Sequence, residues 1–174
     1  SFQDGMRTYL SIFANANATW PELIDILDSK TPTDLATWSE VWVNTAGRPV
    51  FTFDDAAPPA QKTLRQHDPA GDERFWPQQF GIAYGDTFSS MEAAVFDTPS
   101  YPLPESLAKA NNLLVNADGS GYGLFPPQAS ILKAEWDSLS VLNKGALFVN
   151  SYEQVLENSE QLRPGEYFEL LLWT

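Results

Sequence analysis

The stretch Leu35 to Phe53, L-A-T-W-S-E-V-W-V-N-T-A-G-R-P-V-F-T-F, reads as a helix that ends and a strand that begins. Leu35, Trp38 and Trp42 recur at i, i+3 and i+7, which puts an apolar stripe on one helical face. Gly47 supplies a residue tolerant of positive φ just past the helix end. Pro49 has no N–H to give and cannot continue a helix. Val50, Phe51, Thr52 and Phe53 are then β-branched or aromatic, the residue types that strands favour. Before this junction the chain reads helical. After it, up to about Pro126, it reads mostly β.

The helical side carries its own punctuation. Phe2, Met6, Tyr9, Leu10 and Phe13 predict a helix over residues ~2–14. Thr19-Trp20-Pro21-Glu22 fits a capping box, with Leu23, Ile24 and Leu27 on the apolar face of a second helix over ~20–29. Thr31-Pro32-Thr33-Asp34 repeats that grammar and launches the third. Asn17-Ala18-Thr19 has the form of a glycosylation acceptor, but Thr19 is already accounted for as a cap.

On the β side, Lys62–His67 reads as a short alternating strand and Asp68–Asp72 as a turn. Phe75–Tyr84 reads as a strand in which Pro77 implies an edge or a bulge. Phe88–Phe96 and Leu113–Val115 are further strands, with Pro99, Pro102 and Pro104 marking a long connection between them. Asn116–Gly121 is a tight turn whose Asp-Gly signals a hairpin, with Tyr122–Phe125 as the returning arm. Asp54 to Ala60, with Pro58-Pro59, is a loop. Short strands at this spacing predict an antiparallel sandwich.

After Pro126-Pro127 the helical period returns. Ile131 and Leu132 belong to a short helix. Leu139, Leu142, Ala146, Val149, Tyr152 and Leu156 lie on one face of a longer one, ~139–157, and Pro164 opens a last helix with Tyr167, Phe168, Leu171 and Leu172. The predicted class is therefore α+β: a central antiparallel β-sandwich between an N-terminal and a C-terminal helical segment. The expected divisions are 1–46, 47–126 and 127–174. Phe2 already lies in a helical pattern and Trp173 still does, so the chain reads as a piece of a longer polypeptide.

Charge and composition narrow the function. A formal net charge of −13, spread over all three stretches, disfavours nucleic acid and anionic lipid as partners. An apolar fraction of 43% with six Trp is the composition of a folded chain. The absence of Cys removes disulfides, thiol catalysis and Cys-type zinc sites, and leaves the compartment open. No run approaches the ~18 apolar residues of a membrane span.

The chemistry-bearing residues are few. The single histidine, His67, is followed by Asp68, Asp72 and Glu73, but one His lacks the ligand pattern of a zinc site, and the plainer reading is a strand running into an acidic turn. No G-x-S-x-G elbow accompanies it. Asp54-Asp55 reads as a solvated pair, and Asp118-Gly119-Ser120-Gly121 lacks the spaced acids of a calcium loop. Phe75, Trp76, Tyr84, Phe88 and Tyr101 either fill the core or form an exposed sugar-binding row. No residue is assigned a catalytic, cofactor-binding or metal-binding role.

Four passages, in order, carry a resemblance. Phe2-Gln3-Asp4-Gly5-Met6-Arg7-Thr8-Tyr9-Leu10 resembles F-x-x-G-[LM]-x-x-Y-[LF]. Asn17-Ala18-Thr19-Trp20-Pro21-Glu22-Leu23 resembles N-A-T-x-x-[DE]-L. Asp34-Leu35, Trp38, Trp42 and Gly47-Arg48-Pro49-Val50 resemble D-L-x-x-[WF]-x-x-W-[LIV]-x-x-x-G-x-P-[VI]. Asn116-Ala117-Asp118-Gly119-Ser120-Gly121-Tyr122 resembles N-x-x-x-x-G-Y. Together they are similar to the zinc-dependent aminopeptidases of the aminopeptidase N family, where the third passage leaves the catalytic domain for a small β-sandwich and the fourth is a hairpin near that sandwich's end. Where the family often has Arg after the final aromatic, this chain runs Tyr122-Gly123-Leu124-Phe125, a mark of a divergent branch.

The resemblance implies a parent that removes N-terminal residues from peptides. Its H-E-x-x-H motif, downstream Glu ligand, G-x-M-E-N loop and oxyanion-stabilising Tyr would lie upstream. The expected cofactor is zinc in the parent and none in this chain. The expected partners are the parent's remaining domains and, in the parent, a peptide substrate. This piece alone is expected to be inactive, with Phe2, Met6 and Phe13 at one end and Phe168 and Leu172 at the other exposing faces that the parent covers. The alternatives are a carbohydrate- or ligand-binding β-module, which requires Phe75, Trp76 and Tyr84 exposed in one plane, and an interaction scaffold from an inactive paralogue.

Overall fold

The structure is a computed structural model that describes residues 1–54, 62–127, 136–157 and 162–172. The predicted loop beyond Asp54, the short helix at Ile131 and Leu132, and Trp173 lie outside the described residues. The chain forms two compact units, Ser1–Ala46 and Gly47–Thr174.

The first unit contains α1 (Phe2–Ile12), α2 (Trp20–Asp28) and α3 (Leu35–Ser39), the last widening into a π-helical turn over Glu40–Asn44. Its starts are fixed by local chemistry. The Glu22 carboxylate accepts from both the N–H and the hydroxyl of Thr19, at 2.7 Å each, so the Thr19 side chain serves α2. Asp34 caps α3 by accepting from the Thr37 N–H at 2.8 Å. Gly5 lets α1 approach α2: a Cβ there would stand 2.6 Å from Leu27 Cδ2. Trp20 Nε1 donates to Ser39 Oγ at 2.7 Å and joins α2 to α3. The opening stripe is only partly covered, since Leu35 and Trp42 are half-buried and Trp38 is exposed.

The second unit holds two three-stranded antiparallel sheets. One has the order β1 (Val50–Phe53), β2 (Thr63–His67), β5 (Ser100–Pro102). The other has the order β4 (Ser90–Phe96), β3 (Gln78–Tyr84), β6 (Leu113–Val115). The mixed α+β class and the antiparallel sheets follow the expectation. Pro77 stands just outside β3, neither an edge nor a bulge within it. The proline-marked connection is more ordered than its composition implies. It contains β5, whose Pro102 sits on an edge strand where a missing N–H costs nothing, and the short helix α4 (Glu105–Ala108).

The core between the sheets is aromatic. Phe51 stacks on Phe125 with centroids 4.7 Å apart and meets Phe80 and Phe96 edge-on at 5.2 Å. Leu64, Ile82, Ala94, Leu107 and Val115 complete it. β3 is buried on both faces. Phe80 and Ile82 point into this core, while Ala83 joins Phe88, Leu114, Ala117, Leu139 and Leu147 in a second cluster. That cluster lies beneath α5 (Val141–Leu156), which α6 (Pro164–Leu171) follows.

The Asp-Gly turn does not make the predicted hairpin. Asn116 adopts φ +56° and clamps Gly121, accepting from its N–H at 2.8 Å and donating to its carbonyl at 3.3 Å. The chain then leaves β6 and crosses to the other sheet. Leu124 donates to Pro49 O and accepts from Phe51 N, both at 2.8 Å, in a parallel bridge beside Val50. The passage Asn116–Phe125 is thus a strap between the two sheets.

Candidate functional site

An amphipathic helix ordinarily turns its apolar side to the core and its polar side to water. α5 does the reverse. Its buried residues are Asn143, Leu147, Asn150, Ser151 and Gln154. Three of the four polar ones dock on backbone carbonyls of the sandwich. Asn150 Nδ2 donates to Val115 O at 2.9 Å, Gln154 Nε2 to Phe125 O at 2.6 Å, and Asn143 Nδ2 to Phe88 O at 3.4 Å. Ser151 is fully buried, and its hydroxyl finds no partner among the described residues. The opposite face carries Val141, Leu142, Val149, Tyr152 and Leu156, with Val141 88% and Val149 60% exposed.

Between this face and the strap lies a cleft of about 780 Å³. Gly145, Leu142 and Val149 form its helical wall, and Gly119, Gly121 and Tyr122 the other. Two glycines of the strap, Gly121 and Gly123, are required from beneath. A Cβ on Gly121 would stand 2.8 Å from Phe80 Cδ1, and one on Gly123, at φ +147°, 2.8 Å from the Pro49 carbonyl. Asp118 pins the strap to β3, accepting from Gly81 N at 2.9 Å and from Ser120 Oγ at 2.8 Å. Burial pushes the Asp118 carboxyl up, but the hydrogen bonds from Gly81 and Ser120 outweigh it and hold the carboxyl below its usual range.

One end of the cleft is charged. Arg48 pairs with Glu153 and, at 2.6 Å, with Glu157. Burial disfavours the guanidinium charge, and hydrogen bonds to the two carboxylates more than restore it. Among the described residues the cleft lining holds no cysteine, serine or histidine, and its one carboxylate, Glu153, is occupied by Arg48. The arrangement suits binding an apolar surface.

The residues singled out by sequence are not gathered here. His67 is exposed at the end of β2. The Asp68 carboxylate beside it is taken by Arg74, at 2.6 Å and 3.1 Å, and that hydrogen bonding holds the carboxyl below its usual range. Arg74 in turn lies 4.9 Å over the Trp76 ring. Asp54 pairs with Arg65 at 3.0 Å, and Asp55 lies outside the described residues. Among the described residues no three His, Cys, Asp or Glu are grouped to hold a metal ion. No described helix is long and apolar enough to cross a membrane.

Trp76 is 1% exposed, with Gln66 hydrogen-bonded to both its backbone N–H and its carbonyl. Phe75 and Tyr84 pack on the core. These rings form no exposed row. The α5 cleft escaped sequence reasoning, although a signal was present. The polar side of the helix carries amides and a hydroxyl but no charge, the composition of a face that meets backbone instead of water. The chain matches no protein-family model, and no curated protein matches it.

Proposed function

We propose that this chain is a non-catalytic structural part of a zinc metallo-aminopeptidase: the last helices of the catalytic domain, a β-sandwich, and the first helices of a C-terminal helical domain. The observation that carries the reading is a sandwich with its own closed core between helical segments whose apolar residues stand in water. Phe2, Leu10 and Ile12 of α1 are exposed on one side of it in the sequence, where Met6 and Phe13, expected exposed, are half-buried, and Val141, Val149, Phe168 and Leu172 are exposed on the other. Exposure on that scale is characteristic of surface covered by other protein. The ordered motifs from Phe2 to Tyr122 support this choice of family. The parent's zinc would be held upstream, and the sandwich would hold two helical domains around the peptide-binding cavity.

The test uses the encoded polypeptide on both sides of this segment. It is expected to carry H-E-x-x-H with a downstream Glu, to release N-terminal residues from peptides, and to lose that activity on zinc chelation. The 174-residue chain alone is expected to release none. An upstream region without zinc ligands would overturn the peptidase reading and leave a scaffold in its place. The sugar-binding alternative keeps no supporting surface at Phe75, Trp76 and Tyr84.

A further inference from the structure

The exposed side of α5 has a register of its own. Leu142, Gly145, Val149, Tyr152 and Leu156 follow one another at alternating steps of three and four, the spacing of a seam between two helices. All five are exposed. The helix cannot roll to hide them, because Asn143, Asn150 and Gln154 fasten its other side to the sandwich.

Gly145 sharpens the point. Glycine inside a helix costs about 1 kcal/mol relative to alanine. Most strap glycines are required by a positive φ or a close neighbour, but a Cβ on Gly145 would meet nothing within 4 Å. Nothing packed inside the described molecule requires a small residue there. A close approach from outside would account for it, since small residues let helix axes come together.

Two observations bear on what would fit there. The first is continuity: α6 already packs at the C-terminal half of this seam, with the Tyr152 and Tyr167 rings 5.8 Å apart. The open half runs from Val141 to Val149. The second is charge. Arg48 facing Glu153 and Glu157 leaves one negative charge in excess at the end of the cleft, on a chain of net charge −13.

We propose that the open half of the seam, Val141 to Val149, seats one further α-helix of the same polypeptide. That helix is amphipathic, places a bulky apolar residue over Gly145 in the cleft, and carries Lys or Arg on the flank facing Glu153 and Glu157. This rests on the reading that the polypeptide continues into a helical domain.

Because the chain has no cysteine, Val149→Cys is a clean probe. Its reaction with a maleimide is measured in the full polypeptide and in the 174-residue chain, each against the denatured rate. The seat predicts a rate lower by about tenfold or more in the full polypeptide alone, since reaction there waits on local opening. A second substitution, Gly145→Trp, is expected to restore reactivity in the full polypeptide. Equal rates in the two chains overturn the proposal, as does protection that Gly145→Trp leaves unchanged. Protection of the short chain that grows with its concentration also overturns it, in favour of a second copy. Peptidase activity is read separately on the same samples. Protection without activity sinks the peptidase reading and leaves the seat. Activity without protection does the opposite.

Discussion

The stretches before and after Ala46 differ in how much of themselves they bury. In Ser1–Ala46 the fully buried residues are Gly5, Ile24 and Ser39. In Gly47–Thr174 two clusters surround β3, one of them built on Phe51, Phe80, Phe96 and Phe125. Yet the first stretch follows its sequence reading more closely. Its helices begin at Thr19 and Asp34 as expected, because caps are local hydrogen bonds that need no partner from afar. Clear local grammar and a closed core are separate properties. Helices of 11 and 9 residues are marginal without packing.

The comparison can be broken at the core first. Phe80→Ala is expected to cost about 3–5 kcal/mol, because its ring touches Phe51, Phe96 and Phe125 and leaves a cavity among them. Trp38→Ala in α3 is expected to cost about 1 kcal/mol or less, since that ring is already 40% exposed. Urea unfolding of the two variants measures both, and equal losses would mean that the first stretch owns a core of its own.

Next is Gln66→Ala, expected to cost about 2–3 kcal/mol by leaving the buried Trp76 N–H and carbonyl without partners. The two sides of α5 give a smaller contrast. Asn150→Ala is expected to lose about 1–2 kcal/mol, because Val115 O is left unpaired. Val149→Ser, one residue away on the exposed side, is expected to stay within about 0.5 kcal/mol. A larger loss at Val149 than at Asn150 would reverse the orientation of the helix. The smallest change is Ser151→Ala, neutral or stabilising by about 1 kcal/mol, because it removes a buried hydroxyl with no partner among the described residues.

Acid titration of a variant tests the anchor of the strap. The folded Asp118 carboxyl lies below its usual range, so its contribution is full above the unfolded pKa of about 3.9 and fades as pH falls through the lower folded value. Asp118→Asn is expected to flatten that acid limb in a pH series of urea unfolding. An unchanged limb would remove Asp118 as the anchor of the strap.

By itself the sequence determined the elements that depend on near neighbours. These are the capped helices, the break at Gly47 and Pro49, the alternation of β2 and the buried run Leu113–Val115. It also placed the apolar stripe along α5. Only the tertiary structure decided the direction in which the stripe faces, because the docking partners of Asn150 and Gln154 are carbonyls 35 and 29 residues away. It decided likewise that Asn116–Phe125 crosses between sheets instead of folding back. The Asp-Gly pair specifies a turn, while Asn116 at positive φ and the open hydrogen-bonding groups of Pro49 and Phe51 specify where the chain goes next. The edge strand β5 was hidden by Pro99 before it and Pro102 within it, since proline is compatible with strand only where one side of the ladder is free. Periodicity reports that a helix has two unlike faces, and the groups that each face meets are set by distant parts of the chain.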